Sequence, residues 1–220
     1  MAADERDDGV DGSAWAMSRR RFLRGVGVVG AGAAIADPNV LGAQDKPAGA
    51  SEAQTAAAMD GPRKITLAVN GQNLDITAEP RVTLLSALRD YAEPAVTGPK
   101  LVCGMGTCGA CTVLLDDKPV YSCLCLAADV QGKKITTAEG LGTPEKMNAV
   151  QQQFCEKDAL MCGFCTPGFV TALSAVVQKT PNATVDQIKQ GCAGNFCRCG
   201  TYPRVFEAGV AAAKNGTNRG

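Results

Sequence analysis

Residues 100–111 read KLVCGMGTCGAC and place Cys103, Cys108 and Cys111 in one short glycine-rich loop. The gaps between them are four residues and then two, and a fourth thiol, Cys123, ends the strand-like run CTVLLDDKPVYSC at residues 111–123. This is the ligand spacing of a [2Fe–2S] site closed by a distant fourth cysteine. Two irons bridged by two sulfides need four thiolates, and a loop that wraps such a core must bring backbone close to sulfur. Gly104, Gly106 and Gly109 offer no side chain to obstruct that approach and accept positive φ, so their N–H groups can point at the sulfurs. Zinc, disulfides and free thiols are the competing readings. Zinc sites usually pair cysteines as two close knuckles, and a triplet this tight leaves poor disulfide partners within one loop, so iron–sulfur is preferred.

The chain has 220 residues, enough for one medium domain or two small ones, with 22 Lys and Arg against 22 Asp and Glu. Zero net charge argues against a nucleic-acid partner. The absence of histidine rules out His-ligated zinc, Rieske centres and His-based catalysis. Eleven cysteines is a high count whose meaning lies in the spacing.

Residues 18–36, SRRRFLRGVGVVGAGAAIA, match a twin-arginine export signal: Ser18, Arg19 and Arg20, then Phe22 and Leu23, then a weakly apolar run. That run is too short for a spanning helix, so no stable membrane span is expected; a membrane-surface helix is the alternative. Cleavage after Ala36 or Ala43 both fit. Residues 1–43 are read as signal and flank, and 44–62, rich in Ala, Gly, Gln and Pro, as linker. The expected location is periplasmic. A protein exported already folded arrives in an oxidising compartment with its thiols occupied by cofactor.

Residues 63–70 alternate Ile65, Leu67 and Val69 with polar neighbours as a half-buried strand does. Asn70-Gly71 predicts a tight turn, and 73–77 the return strand. Residues 81–92 predict a helix with Thr83 as N-cap, and 134–137 a last strand. After residue 142 the character turns helical. Residues 143–157 predict a helix with Met147, Val150 and Phe154 on one side. Cys162 and Cys165 precede a helix opening at Thr166-Pro167, Thr184 and Gln187 have capping-box spacing, and Cys197 and Cys199 precede a last helix over 203–214. A CxxC pair alone is weak evidence and a CxC pair is more unusual; together they form a second four-thiol set beside two helix N-termini, whose partial positive charge suits an anionic cluster.

The segments CGMGTCGAC (103–111), CGFCTPG (162–168) and GNFCRCGTY (194–202), in this order, resemble the small iron–sulfur subunit of the molybdenum hydroxylases, the group of xanthine dehydrogenase, aldehyde oxidoreductase and isoquinoline oxidoreductase. The resemblance covers residues 63–213. It implies an α+β chain: a β-grasp plant-type ferredoxin domain over 63–142, an all-α four-helix [2Fe–2S]-binding domain over 143–214 and a tail over 215–220. It implies two clusters, an outer one on Cys103, Cys108, Cys111 and Cys123 and an inner one on Cys162, Cys165, Cys197 and Cys199, the latter near a molybdopterin cofactor held by a separate large subunit. The implied role is electron transfer from that subunit to an FAD-binding subunit or cytochrome c, with no substrate chemistry on this chain. Arg198 would compensate cluster charge. Met161 stands where many members carry a glutamine that touches the pterin, so that contact is not carried over. Cys125, Cys155 and Cys192 fall outside the motifs and are expected to be buried small apolar residues, with Cys125 as an alternative ligand in place of Cys123. The rival readings are a stand-alone periplasmic two-cluster ferredoxin and a zinc-stabilised structural module.

Overall fold

The computed structural model describes residues 61–216; the expected export signal, most of the linker and the last residues lie outside the described residues. The architecture is mixed, with a five-stranded sheet followed by several helices. Strands β1 (Arg63–Val69) and β2 (Gln72–Ala78) pair antiparallel in the register Leu67↔Leu74 and Ile65↔Ile76. Asn70 and Gly71, both at positive φ, make the tight turn that matches strand twist. The period-two pattern does what it predicts: Ile65, Leu67 and Val69 are buried while Arg63, Lys64 and Thr66 face water. Each fully buried aliphatic side chain of this kind contributes about 1.5–3 kcal/mol.

Helix α1 (Leu84–Ser86) runs directly into a π-helical turn over Ala87–Tyr91. Thr83 caps it, its hydroxyl accepting from Ser86 N–H at 3.2 Å. The helix predicted over 81–92 is therefore shorter and wider in its second half. Leu84, Leu85, Ala87 and Leu88 are buried against the sheet or beside the cysteine loop. The Arg89 guanidinium donates to the carbonyls of Thr97 and Pro99, at 3.0 and 2.8 Å, and so fixes the lead into the cysteine loop.

Strands β3 (Thr112–Leu115) and β4 (Lys118–Tyr121) form an antiparallel hairpin through Asp116 and Asp117, both in the left-handed region. Strand β5 (Lys134–Thr136) lies parallel to β1 and antiparallel to β3, giving the order β2-β1-β5-β3-β4. The parallel β1–β5 pairing at the centre joins the two hairpins into one sheet.

Four helices follow: α2 (Ala149–Glu156), α3 (Thr166–Lys179), α4 (Val185–Gly191) and α5 (Tyr202–Gly216). Helix α2 starts later than the 143–157 expectation. Its boundary is set by a capping box, Asn148 with Gln151, and residues 143–146 instead close a turn through mutual Thr143–Lys146 backbone bonds. The capping box predicted at Thr184 and Gln187 is present at α4. The core of this half gathers Val150, Phe154, Phe169, Leu173, Ile188, Val205, Ala208 and Ala212. No helix among the described residues is long and apolar enough to cross a membrane.

Candidate metal centre

The hairpin and its turn explain the first thiol set. Cys111 immediately precedes β3 and Cys123 lies two residues beyond β4, so the register Thr112↔Tyr121 brings them opposite each other. The Cys111 carbonyl accepts from the N–H and the hydroxyl of Ser122, at 3.3 and 2.8 Å. The loop's ends are tied by Lys100 N–H to the Ala110 carbonyl at 3.0 Å. Within it Gly104, Gly106 and Gly109 all take positive φ, as the sequence led us to expect of a loop that turns its N–H groups inward. Met105 N–H donates to Cys103 Sγ at 3.5 Å, and Gly106 N–H to Cys123.

The thiols stand in pairs. Cys103 neighbours Cys108, and Cys123 neighbours Cys111. The Thr107 hydroxyl above all, then Met105 N–H, holds Cys103 down at about 6. Burial, followed by the neighbouring Cys111, pushes Cys123 up to about 11.

The second set is assembled from two helix starts. Cys165 is the N-cap residue of α3, and Cys197 and Cys199 lead into α5. Phe169 and Tyr202 meet edge-on at 6.0 Å and bring the two starts together. Cys197 N–H donates to the Tyr202 hydroxyl at 2.7 Å. Again the thiols pair, Cys165 with Cys197 and Cys162 with Cys199. Burial alone would push Cys197 up. The Thr201 hydroxyl at 3.2 Å, the Thr201 N–H, the Cys165 thiol and the Cys199 N–H outweigh it and bring Cys197 to about 7. Burial, with Cys197 beside it, pushes Cys165 up to about 12.

Each set thus supplies four sulfurs in two pairs, with backbone N–H groups aimed at sulfur. An all-sulfur set of this form fits a binuclear iron–sulfur core, in which each iron takes two thiolates. Among the described residues no three ligating side chains draw together tightly enough for a single metal ion; the sets are pairs of pairs. Within each of the two predicted sets the thiols neighbour one another. Of the three remaining cysteines, only Cys192 is buried as expected. Cys125 is half-buried and turned to the Tyr121 carbonyl at 3.6 Å. Cys155 is exposed beside the Met147 sulfur at 3.9 Å, which corrects the buried assignment: it lies on the outer face of α2, opposite Val150 and Phe154. Thr107, Thr201 and Tyr202 were not singled out from sequence. Their signal was present as hydroxyl residues within three positions of a cysteine in the same motifs, where a hydroxyl can reach sulfur or the ligand's backbone.

The comparisons with known proteins bear on both halves. A 2Fe–2S iron–sulfur cluster binding domain model matches residues 67–141, and a [2Fe–2S] binding domain model matches 137–209. One of the subunits of the nicotinate dehydrogenase from Pseudomonas putida is 39% identical over 150 residues, covering 68% of this chain and 94% of its own length. The chain belongs to the family of small [2Fe–2S] subunits of the molybdenum hydroxylases. The iron–sulfur-binding subunit of an Escherichia coli aldehyde oxidoreductase is 37% identical over 159 residues, 66% of this chain and 69% of its own length. Among solved structures, quinoline 2-oxidoreductase from Pseudomonas putida 86 superposes with a TM-score of 0.67 at 36% identity, over 73% of this chain and 99% of the matched one. This is accordingly an iron–sulfur subunit of an oxidoreductase.

Proposed function

We propose that this subunit binds two [2Fe–2S] clusters and relays electrons from a molybdopterin-binding large subunit to an FAD-binding subunit or cytochrome c. The outer cluster is held by Cys103, Cys108, Cys111 and Cys123, and the inner one by Cys162, Cys165, Cys197 and Cys199. In this reading the sheet with α1 is a β-grasp ferredoxin domain over 63–142, and α2 to α5 form a four-helix cluster-binding domain over 143–214. The observation that carries it is the geometry of the cysteine loop, with Gly104, Gly106 and Gly109 at positive φ, Met105 N–H on Cys103 Sγ at 3.5 Å and the β3–β4 register setting Cys111 opposite Cys123. Cys103 neighbours Cys108, Cys162 neighbours Cys199 and Cys165 neighbours Cys197. When bound, the clusters supply one-electron storage. The residues of this chain fix the ligand pairs, aim the N–H groups of Met105 and Gly106 at sulfur, and set the solvent exposure of each site. The Thr107 and Thr201 hydroxyls donate to Cys103 and Cys197 and favour their thiolate forms.

The second set is collared by exposed apolar side chains, Leu160, Met161, Phe164 and Phe196. Such a collar around exposed ligands suits burial by the large subunit. The printed names of the relatives suggest an aldehyde or an N-heterocycle as the substrate class of the complex, with the chemistry on the partner. Location in the periplasm through the twin-arginine route completes the proposal.

Metal analysis and low-temperature EPR on the complex, purified through a tag on this chain, test it. About four irons per chain, two distinct reduced signals and co-purifying molybdenum are expected. Two clusters with no molybdenum and no partner would make the protein a free carrier, and zinc without iron would overturn the reading altogether. Fractionation tests the location separately: Arg19→Lys with Arg20→Lys should retain the chain in the cytosol, and unchanged export would remove the signal assignment.

A further inference from the structure

Asn195 belongs to neither thiol set, yet its side chain joins them. It is buried (7% exposed) in the turn between α4 and Cys197. Its amide Nδ2 donates to the Gly109 carbonyl at 2.9 Å and meets Thr112 Oγ1 at 3.3 Å, across 86 and 83 residues of chain. Gly109 is the residue after Cys108, and the next residue along from Asn195 makes the parallel contact: Phe196 N–H donates to the Cys108 carbonyl at 2.9 Å. The two residues that lead into Cys197 are thus bonded in antiparallel order to the first loop, Asn195 to Gly109 and Phe196 to Cys108.

The fit around this junction leaves no slack. A Cβ on Gly109 would stand 2.6 Å from Asn195 Nδ2 and from the Gly194 carbonyl, and one on Gly168 would stand 2.4 Å from the Gly109 carbonyl. Gly168 lies three residues past Cys165, so both strands of the second set press on the same peptide of the first. Nor is the amide bond needed to satisfy that peptide. The Gly109 carbonyl already accepts from the Thr112 N–H at 3.1 Å and the Thr112 hydroxyl at 2.6 Å. Those bonds are local to the first loop, and what Asn195 adds is connection.

We propose that Asn195 is a positioning residue that sets the separation and relative orientation of the two clusters, by clamping the Cys108–Cys111 segment to the Cys197 loop. This rests on the two-cluster reading. Magnetic coupling between two reduced clusters falls with the cube of their separation and depends on their orientation. A clamp therefore has a signature that general stability does not.

The experiment uses the full chain loaded with iron, comparing the parent with Asn195→Ala, Asn195→Asp and a control, Thr171→Val. The aspartate variant keeps the side chain's volume but places an acceptor against the Gly109 carbonyl. Thr171 is equally buried but bonds only within α3, to the Pro167 carbonyl. The parent and the control should show two clusters whose reduced signals split each other at low temperature. Both Asn195 variants should keep both signals and their iron but show a mutual splitting of different size. Parent-sized splitting in either iron-loaded Asn195 variant overturns the clamp. Two clusters without mutual splitting in the parent would overturn it as well, since the clamp holds the sets side by side. A parent chain without two clusters would instead sink the functional reading before the variants are compared.

Discussion

The first thiol set lies within its own half of the fold, with Cys108, Cys111 and Cys123 buried and Cys103 partly open. The second buries Cys197 alone, half-covers Cys165 and leaves Cys162 and Cys199 exposed. The difference follows from how each is built. A hairpin closes on itself, so one β-turn and one register suffice to enclose Cys111 and Cys123 between strand and loop. Two helix starts can only meet along one side, here where Phe169 touches Tyr202, and the outward side stays open. The first set also has exposed apolar neighbours, Leu101, Met105 and Leu124, but covers three of its four thiols itself. An open site ringed by Met161, Phe164 and Phe196 is one whose environment is completed from outside the chain.

The strongest test of this contrast is the loss of one ligand from each set. Cys111→Ser and Cys197→Ser should each abolish one EPR signal and about half of the iron while leaving the other signal in place. If either substitution removed both signals, the sets would not be independent sites; if neither removed one, the ligand assignment would fail. The isolated Cys111→Ser chain, left with only its open site, should also lose its remaining iron to a chelator faster than the Cys197→Ser chain.

Thiol chemistry of the iron-free chain should separate Cys103 of the first set from Cys165 of the second by orders of magnitude in rate. The thiolate is the reactive form. Cys103, held at about 6 by the Thr107 hydroxyl and then Met105 N–H, is mostly thiolate at neutral pH. Its alkylation by iodoacetamide should rise about tenfold per pH unit up to about 6 and then level off. Cys165, pushed to about 12 by burial, should stay unmodified through pH 9. Mass spectrometry of peptides carrying each residue reads both rates. Thr107→Val should move the Cys103 plateau to higher pH, because the donor that favours the thiolate is gone; an unmoved plateau would refute the assigned cause.

Phe169→Ala strikes the second half's core. Phe169 is fully buried and props Tyr202, whose hydroxyl accepts from Cys197 N–H. A loss of about 3–5 kcal/mol in unfolding free energy is expected, visible in chemical denaturation. The second signal should broaden or vanish before the first, since this ring packs in the core of the second half.

Much of this was legible in the sequence because spacing and period carry it. The alternation of Ile65, Leu67 and Val69, the Asn70-Gly71 turn and the cap at Thr83 are local, and each is borne out. The eight cysteines stand out as candidates because a cluster loop must place thiols at short fixed intervals. What sequence could not give was pairing over distance. Nothing local says that Asn195 reaches Gly109, or that Gly168 must be small because the Gly109 carbonyl lies against it. The helix start at residue 149 was misjudged for a related reason. Thr143 and Met147 fit a helical period, but the Asn148 and Gln151 side chains offer the backbone a better start. Cys155 fell on the exposed face because a cysteine's apolar character says nothing about which side of a short helix it occupies.

That same cap gives the finest test of the contrast. Asn148 accepts from Gln151 N–H at 2.8 Å, and its own amide donates to Ser174 Oγ on α3 at 2.9 Å. Gln151 in turn donates to the Ala138 carbonyl at 3.0 Å, on the connection that enters from β5. Asn148→Ala removes the cap and the tie to α3 together and should cost about 1 kcal/mol, within the 0.5–2 kcal/mol range of lost N-caps. Neither bond touches a thiol, and Ser174 lies more than two helical turns along α3 from Cys165. The midpoint of denaturation should fall while both cluster signals keep their shape. Asn148→Asp, which can still cap but cannot donate to Ser174, should recover most of the loss. If Asn148→Ala instead disturbed the second signal, the open site would depend on the whole helical half and not on the Phe169–Tyr202 contact that brings its two helix starts together.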